Sequence, residues 1–411
     1  MSKAGKSSPG MRLSAAMMLF YFLAFLLLAL RGGTSLGYLL SLAVPGMIFL
    51  GTFFLPRVFP TDRLFLSLAN FLSALGVLLL YASGSPLVLQ QAVSYGIGLA
   101  AMIFCIYLVR CMRSSSGSVQ VILFLSLMLL VLPVLSGKEI NGALNWITIG
   151  SFSFQPSEIV KLSLVLILAG TLSRRQFLPA LFFVLLCCLL LMLQRDLGAL
   201  LLYFVTALVL FWAATGNFPL TLAGAAGGAC VAWYGYHLFA HIRLRVSIWQ
   251  NPWADAQGAG YQLVQGLAAI SRGGLWGTGL GLGNPAAVPV YESDFIFPVL
   301  CEQFGLIFAG CILILYVMLI FRGTEIASNS ADSFHSLLAM GASFLLGLQA
   351  FVNIGGVLKL IPLTGVTLPF ISYGGTSLIS SLCLAGFIQG VESLNKDQME
   401  EDRRLAMLER G

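Results

Sequence analysis

The chain has 411 residues, 58% of them hydrophobic and only 9% charged, with a formal net charge of +6. Its apolar residues come in long blocks rather than in the short periodic patterns of a soluble core, which excludes an ordinary soluble globular domain. A bilayer core needs roughly 20 apolar residues of helix, whereas a transmembrane β-barrel alternates over about 10, so the blocks predict an all-α polytopic membrane protein.

In chain order, twelve spans are predicted at residues 13 to 30, 36 to 55, 64 to 84, 88 to 109, 119 to 135, 157 to 173, 177 to 193, 197 to 213, 218 to 239, 295 to 321, 334 to 356 and 373 to 391. The first reads as an uncleaved anchor, because no small-residue cleavage site follows it. Lys and Arg close to spans are retained in the cytoplasm. With the N-terminus inside, Lys3, Lys6, Arg12, Arg57, Arg63, Arg110, Arg113, Arg174, Arg175, Arg322, Lys396, Arg403, Arg404 and Arg410 fall on that side, 14 of the 22 Lys and Arg, leaving 8 outside. Both termini are therefore expected in the cytoplasm, with "KDQMEEDRRLAMLERG" as a solvated helix. The positive charge then reflects topology and implies no nucleic-acid partner. The eight cysteines, including Cys187 and Cys188, lie mostly in apolar blocks and read as core filler. His237, His241 and His335 are too scattered to argue for a metal site.

In this topology the segments richest in Gly, Pro and charge collect on the extracytoplasmic side. A polar group at membrane depth costs several kcal/mol unless satisfied, so broken backbone is tolerated there only where protein buries it or it lines a cavity. In "FQPSEIVK", Pro156 suits a first helical turn, Glu158 a helix N-terminus, and Lys161 a local ion pair with Glu158. Asp196 in "QRDLG" suits an N-cap, and Glu292 and Asp294 in "YESDFIF" suit caps for the tenth span. The run "SRGGLWGTGLGLG" lacks the G-K-[ST] ending of a phosphate loop and reads as a packed turn. Asp255, in the polar stretch "NPWADAQGAGYQ", shares its segment with Arg243 and Arg245, which face either phospholipid head groups or an anionic substrate.

From about Asp62 to Gln389 the chain resembles the SEDS family of shape, elongation, division and sporulation proteins, which includes FtsW, RodA and SpoVE. The resemblance rests on "NWITIGSFSFQPSEIVK", "QRDLGALLL", "RLRVSIWQNPWADAQGAGYQ", "GGLWGTGLGLG", "SDFIFPVLCEQFGLI" and "IPLTGVTLPFISYGGTSL", occurring in that order. "NPWAD" and the last spans look more like the FtsW-type branch. The resemblance implies a ten-span core at residues 61–393, with a catalytic extracytoplasmic segment at 240–294. Residues 1–60 would then add two further helices, and 394–411 a cytoplasmic tail.

The resemblance also implies an enzyme of the bacterial cytoplasmic membrane, a peptidoglycan glycosyltransferase. It would polymerise lipid II into glycan strands at the outer face, in division or shape maintenance, with a class B penicillin-binding protein as transpeptidase partner. An α-linked donor yielding a β-linked glycan needs one inverting displacement and one base, and the family's "D-x-x-G-x-G-Y" carboxylate maps onto Asp255. Arg243 and Arg245 are expected to clamp the pyrophosphate, and Glu158, Lys161, Asp196, Glu302 and Ser372 to support or contact substrate. No cofactor is required, although a divalent cation bridging the pyrophosphate is left open. Arg195 and Glu292 depart from the family pattern. A lipid II flippase and a non-catalytic division scaffold are the competing functions.

Overall fold

The computed structural model describes residues 9–112, 116–136, 143–149 and 152–409; Lys3, Lys6, Arg113 and Arg410 lie outside them. The helices are α1 (Pro9–Gly32), α2 (Ser35–Phe49), α3 (Leu55–Val58), α4 (Arg63–Ala82), α5 (Val88–Cys111), α6 (Ser116–Ser136), α7 (Pro156–Leu172), α8 (Phe177–Leu193), α9 (Leu197–Thr215) and α10 (Phe218–Leu238). They continue as α11 (Ala240–Gln250), α12 (Tyr261–Gly273), α13 (Ile296–Ser328), α14 (Ser333–Val357) and α15 (Gly375–Leu408). A π-helical turn, Leu50–Phe54, joins α2 to α3. The protein is a mostly helical, multi-pass membrane protein. Among the described residues, 8 helices are long and apolar enough to cross a membrane, and α6 and α8 are shorter apolar helices. Every predicted span coincides with helix.

Two expectations need correction. The fold is not purely helical, because β1 (Ile147–Ile149) and β2 (Phe152–Phe154) pair antiparallel, with Ile147 opposite Phe154. The segment 240–294 is not mainly loop: α11 and α12 fill much of it, and α12 packs Leu263, Gly266 and Ala269, at helical spacing, into the core. A short apolar stripe is enough for a helix once α13 covers it.

The bundle has two polar ends. At one, here the tail end, Asp62 caps α4 by accepting from the Phe65 N–H at 2.7 Å, and its own N–H donates to Gln389 Oε1 at 2.7 Å. Its Oδ2 also accepts from Arg322 Nε at 2.9 Å and Nη2 at 2.7 Å. One residue therefore ties α4, α13 and α15 together, its carboxylate reaching α13 and its N–H reaching α15. Beyond it, α15 runs on as an exposed helix to Leu408.

At the opposite, loop end, α13 is broken at Gly305, whose φ of 83° suits glycine alone. The break frees backbone groups that hydrocarbon cannot satisfy. The glycine-rich segment supplies them. Thr278 N–H donates to Glu302 O at 2.8 Å and Gly279 N–H to Gln303 O at 3.0 Å, while Leu306 N–H donates to Gly274 O at 2.9 Å and Ile307 N–H to Leu275 O at 3.3 Å. A nucleotide loop is unnecessary to explain these glycines.

Asp62→Ala removes a helix cap and one of the two carboxylates on Arg322, leaving Glu325, so it should lower stability by about 1–2 kcal/mol. Reversible unfolding in detergent would measure it, and a loss under about 0.5 kcal/mol, the scale of an ordinary surface substitution, would contradict the anchoring role.

Candidate active site

Asp255 ends a 3₁₀ turn, Pro252–Asp255, and its side chain is exposed. Its Oδ2 accepts from the Ala259 N–H at 2.8 Å. A Cβ at Gly258 would fall 2.4 Å from that oxygen, which explains the glycine that follows it. Asp255 thus closes its own turn while its side chain stays open to solvent.

Helix α11 lies along the segment that follows α14. Arg245 Nη1 donates to Leu363 O at 3.2 Å and Thr364 O at 3.0 Å, Trp249 Nε1 donates to Lys359 O at 3.0 Å, and Lys359 Nζ sits 5.2 Å from the Trp253 ring centre. Residues spaced by four share a helix face, so Arg245 and Trp249 make one contact strip, which Trp253 prolongs. Arg243, two positions before Arg245, points to the opposite side, where it is exposed and donates to His237 O at 2.5 Å. The two arginines therefore do not form a paired clamp: residues two apart on a helix do not face the same ligand.

Arg245 instead faces two carboxylates. Burial disfavours its charge, whereas Asp196 and Asp294 favour it. Asp294 is partly buried, and burial pushes its carboxyl up to about 6, against the lowering effects of Ser293 and Arg245. It was expected to cap a helix, but α13 begins after Phe295 with no side-chain cap. The backbone around it is held on every side. Tyr373 N–H donates to Glu292 O at 2.7 Å, Ser372 Oγ to Ser293 O at 2.5 Å, and Asn353 Nδ2 to Asp294 O at 3.0 Å and Val366 O at 2.7 Å. Ser372 also accepts from the Leu368 N–H at 2.8 Å, so its hydroxyl secures two segments. Asn353 Oδ1 and Thr364 Oγ1 near these segments are buried without a protein partner.

Asp196 caps α9 through Ala199 N–H at 3.0 Å, and its Oδ2 accepts from Asn145 Nδ2 at 3.0 Å, Gln155 Nε2 at 2.8 Å and Ser157 Oγ at 3.3 Å. Those four donors make it a strut between α7, α9 and the chain before β1, with its field directed at Arg245. Deeper in the bundle, Glu158 Oε2 pairs with Lys161 Nζ at 2.5 Å and accepts from Ser380 Oγ at 2.7 Å. Lys161, only 2% exposed, also donates to Gln349 Oε1 at 3.0 Å, and Gln349 Nε2 donates to Thr367 O at 3.0 Å. This layer fixes α7, α14 and α15 under the crevice. Glu302 lies elsewhere: 1% exposed, it accepts from Arg272 Nε at 2.8 Å and Asn284 N–H at 3.2 Å and holds the glycine-rich segment.

The structure thus unites Arg245, Asp196 and Asp294 above the Glu158–Lys161 layer, with Ser372 as a backbone tie, and sets Asp255, Arg243 and Glu302 apart. Asp294 is the residue the sequence reading missed as a site. A cavity of about 750 Å³ between α7, α8, α9 and α10 is at the tail end, lined by residues such as Leu181, Leu185, Phe204 and Phe211, and offers no acid–base chemistry.

Residues 61–397 match the family of cell cycle proteins that comprises FtsW, RodA and SpoVE. The peptidoglycan glycosyltransferase RodA of Mycobacterium tuberculosis (strain ATCC 25618 / H37Rv) is 34% identical over 361 residues, covering 80% of this chain and 77% of its own. Stage V sporulation protein E of Bacillus subtilis (strain 168) is 37% identical over 324 residues, covering 75% and 87%. A probable peptidoglycan glycosyltransferase FtsW of Geobacter sp. (strain M18) is 36% identical over 285 residues, covering 66% and 76%. Relatives bearing all three names match at similar identity, so similarity does not select the FtsW-like branch. Among solved structures, the rod shape determining protein RodA of Thermus thermophilus aligns with a TM-score of 0.62 at 29% identity, covering 82% of this chain and 98% of that one. A chain from a peptidoglycan synthase complex, described as coordinating polymerization and crosslinking, aligns with a TM-score of 0.67 at 27% identity, covering 82% and 98%. With an ordered set of shared motifs, a helical bundle of the same architecture and a match across most of its length, this chain belongs to the FtsW/RodA/SpoVE family of cell cycle proteins.

Proposed function

We propose that this chain is a peptidoglycan glycosyltransferase that polymerises lipid II at the outer face of the bacterial cytoplasmic membrane, in cell division or shape maintenance. On this reading the chain crosses the membrane twelve times, with both termini in the cytoplasm and the loop end outside, which the clustering of Lys and Arg supports. Residues 1–60 form an N-terminal addition, 61–393 the catalytic membrane core and 394–411 a cytoplasmic tail. A class B penicillin-binding protein is the partner this reading expects, since the peptidoglycan synthase complex that resembles this chain couples polymerization to crosslinking.

The reaction removes a proton from a sugar hydroxyl as its oxygen bonds to the anomeric carbon of the donor, while the anomeric carbon–oxygen bond to pyrophosphate breaks with inversion. The pyrophosphate departs with the bonding electrons, and negative charge grows on it. A base and a nearby cation meet these two needs. Asp255 is the base implied by family resemblance, and the observation that carries this assignment is its exposed carboxylate at the loop end, beside the glycines of its own turn. Asp294, raised to about 6 by burial, is a second acid at the same end. Arg245 supplies positive charge to the leaving group, and the Glu158–Lys161 layer keeps α7, α14 and α15 in register.

With purified protein and lipid II, Asp255→Asn should lower glycan synthesis by about 10²–10⁴, and Asp294→Asn by much less. The reverse ranking would move the base to Asp294. Flipping of the precursor across sealed vesicles without polymer would favour a flippase, and growth supported by a variant lacking both carboxylates a scaffold.

The raised value of Asp294 makes a sign prediction for stability. A carboxyl whose folded pKa exceeds its unfolded one contributes stability at low pH that is lost as pH rises through about 6. Asp294→Asn should therefore have an equal or higher melting temperature than the parent at pH 7 to 8, read by thermal unfolding in detergent. For the cation, Arg245→Ala should impair donor use at least about tenfold more than Arg243→Ala, and equal effects would dissolve the single-arginine assignment.

A further inference from the structure

The cavity of about 750 Å³ between α7, α8, α9 and α10 lies at the end of the bundle opposite Asp255 and Arg245, and the reaction leaves it without a task. Its volume falls within the roughly 300–1,000 Å³ of ligand pockets. Along α8 the lining runs from Leu178 to Leu185, roughly 10 Å of helix, about a third of a bilayer core. Leu178, Leu181 and Leu185 remain exposed, so the cavity opens sideways toward lipid. Of α10 only Gly235 is buried. That helix leans on α9, where a Cβ at Gly224 would stand 2.9 Å from Leu208 Cδ2 and one at Gly228 would meet the Phe204 ring, and the cavity is the gap left between it and α8.

Among the lining residues only Arg175, Thr215 and Asn217 are polar, and they gather at the tail-end tips of α7, α9 and α10. Thr215 Oγ1 is taken up by Phe211 O at 2.8 Å, and Asn217 Oδ1 caps α10 by accepting from the Leu220 N–H at 3.1 Å, which leaves the Asn217 amide nitrogen to donate. Arg175 is exposed, and its guanidinium makes no hydrogen bond or ion pair with any described residue. Its backbone is unusual. At φ 58° it occupies the left-handed position after α7 where glycine is usual, its N–H donating to Leu172 O at 2.9 Å and the Gln176 N–H to Thr171 O at 2.9 Å. An arginine held there against backbone preference points to a use for its side chain. No Asp or Glu lines the cavity, so an anionic group at its mouth meets a cation without a competing acid, while the ammonium of a zwitterionic head group finds no partner.

We propose that this cavity binds an acyl chain of an anionic phospholipid, with the head-group phosphate held at the mouth by Arg175 and Asn217. The lipid comes from the leaflet at the tail end, the cytoplasmic one in the topology proposed above, so it is distinct from a lipid-linked donor reacting at the loop end. The chain fills the gap beside α10, and the site does not depend on which reaction the protein performs.

The test uses the full-length protein, stripped of lipid in detergent and titrated with phosphatidylglycerol or phosphatidylcholine, with binding read by native mass spectrometry. Phosphatidylglycerol should bind about fivefold more tightly, the scale of one basic residue at a membrane surface. Arg175→Gly should abolish that preference while folding as well as the parent, because glycine suits the left-handed backbone, and Arg175→Lys should keep most of it. Ala207→Trp, which fills the cavity and leaves its mouth intact, should lower affinity for both lipids about tenfold, and Arg175→Gly carries the test if this variant fails to fold. Arg57→Gln, which removes a cation from α3, should change nothing. Equal affinity for the two lipids, an unchanged preference in Arg175→Gly, undiminished binding by folded Ala207→Trp, or an equal loss in Arg57→Gln would each overturn the proposal. Displacement of phosphatidylglycerol by equimolar undecaprenyl phosphate would overturn it too, by giving the cavity to a polyprenyl chain.

Discussion

Hydrocarbon offers no hydrogen-bond partner, so wherever a helix of this bundle breaks, another stretch of its own chain must cover the break. The break in α13 at Gly305 is covered by the glycine-rich segment, and the irregular chain between α14 and α15 is pinned by Asn353, Gln349 and Ser372. Both repairs lie at one end of the bundle. Each brings polar side chains with it, and these accumulate at that end of an otherwise apolar bundle.

Environment, not residue type, separates the acids of that end. Asp196 has its oxygens filled by a helix N-terminus and three side-chain donors, while Glu302 gives one oxygen, Oε1, to Arg272 and the glycine-rich segment and keeps Oε2 buried without a protein partner. Asp255 accepts from its own turn. Asp294 has its backbone clamped from several elements while burial raises its carboxyl. Arg245 gains its position indirectly: the strip it makes with Trp249, prolonged by Trp253, holds α11 against the 359–364 segment and so directs the guanidinium toward two acids.

The polar layer beneath the crevice has a different task. A lysine that is almost wholly buried needs an anion and further acceptors, and Lys161 has Glu158 and Gln349. Because those partners come from α7 and α14, with Ser380 of α15 on Glu158, satisfying one charge also fixes three helices relative to one another. At the opposite end Asp62 does the same for α4, α13 and α15, so polar ties brace the bundle at both ends of an apolar middle.

Local physics was legible without coordinates. The apolar blocks marked every long helix, Asp196 announced itself as the cap of α9, Pro156 as a first helical residue, and Glu158 with Lys161 as a pair three positions apart, because each depends on neighbours within one turn of chain. The short hairpin at 147–154 and the helices inside 240–294 escaped notice, since each is stabilised by what covers it more than by its own pattern. Asp255 drew attention through its polar, glycine-rich surroundings, yet those glycines serve its own turn, while Asp294 stood inconspicuously before an apolar run. Only tertiary structure brought burial and Arg245 to bear on Asp294, because both come from segments distant in sequence.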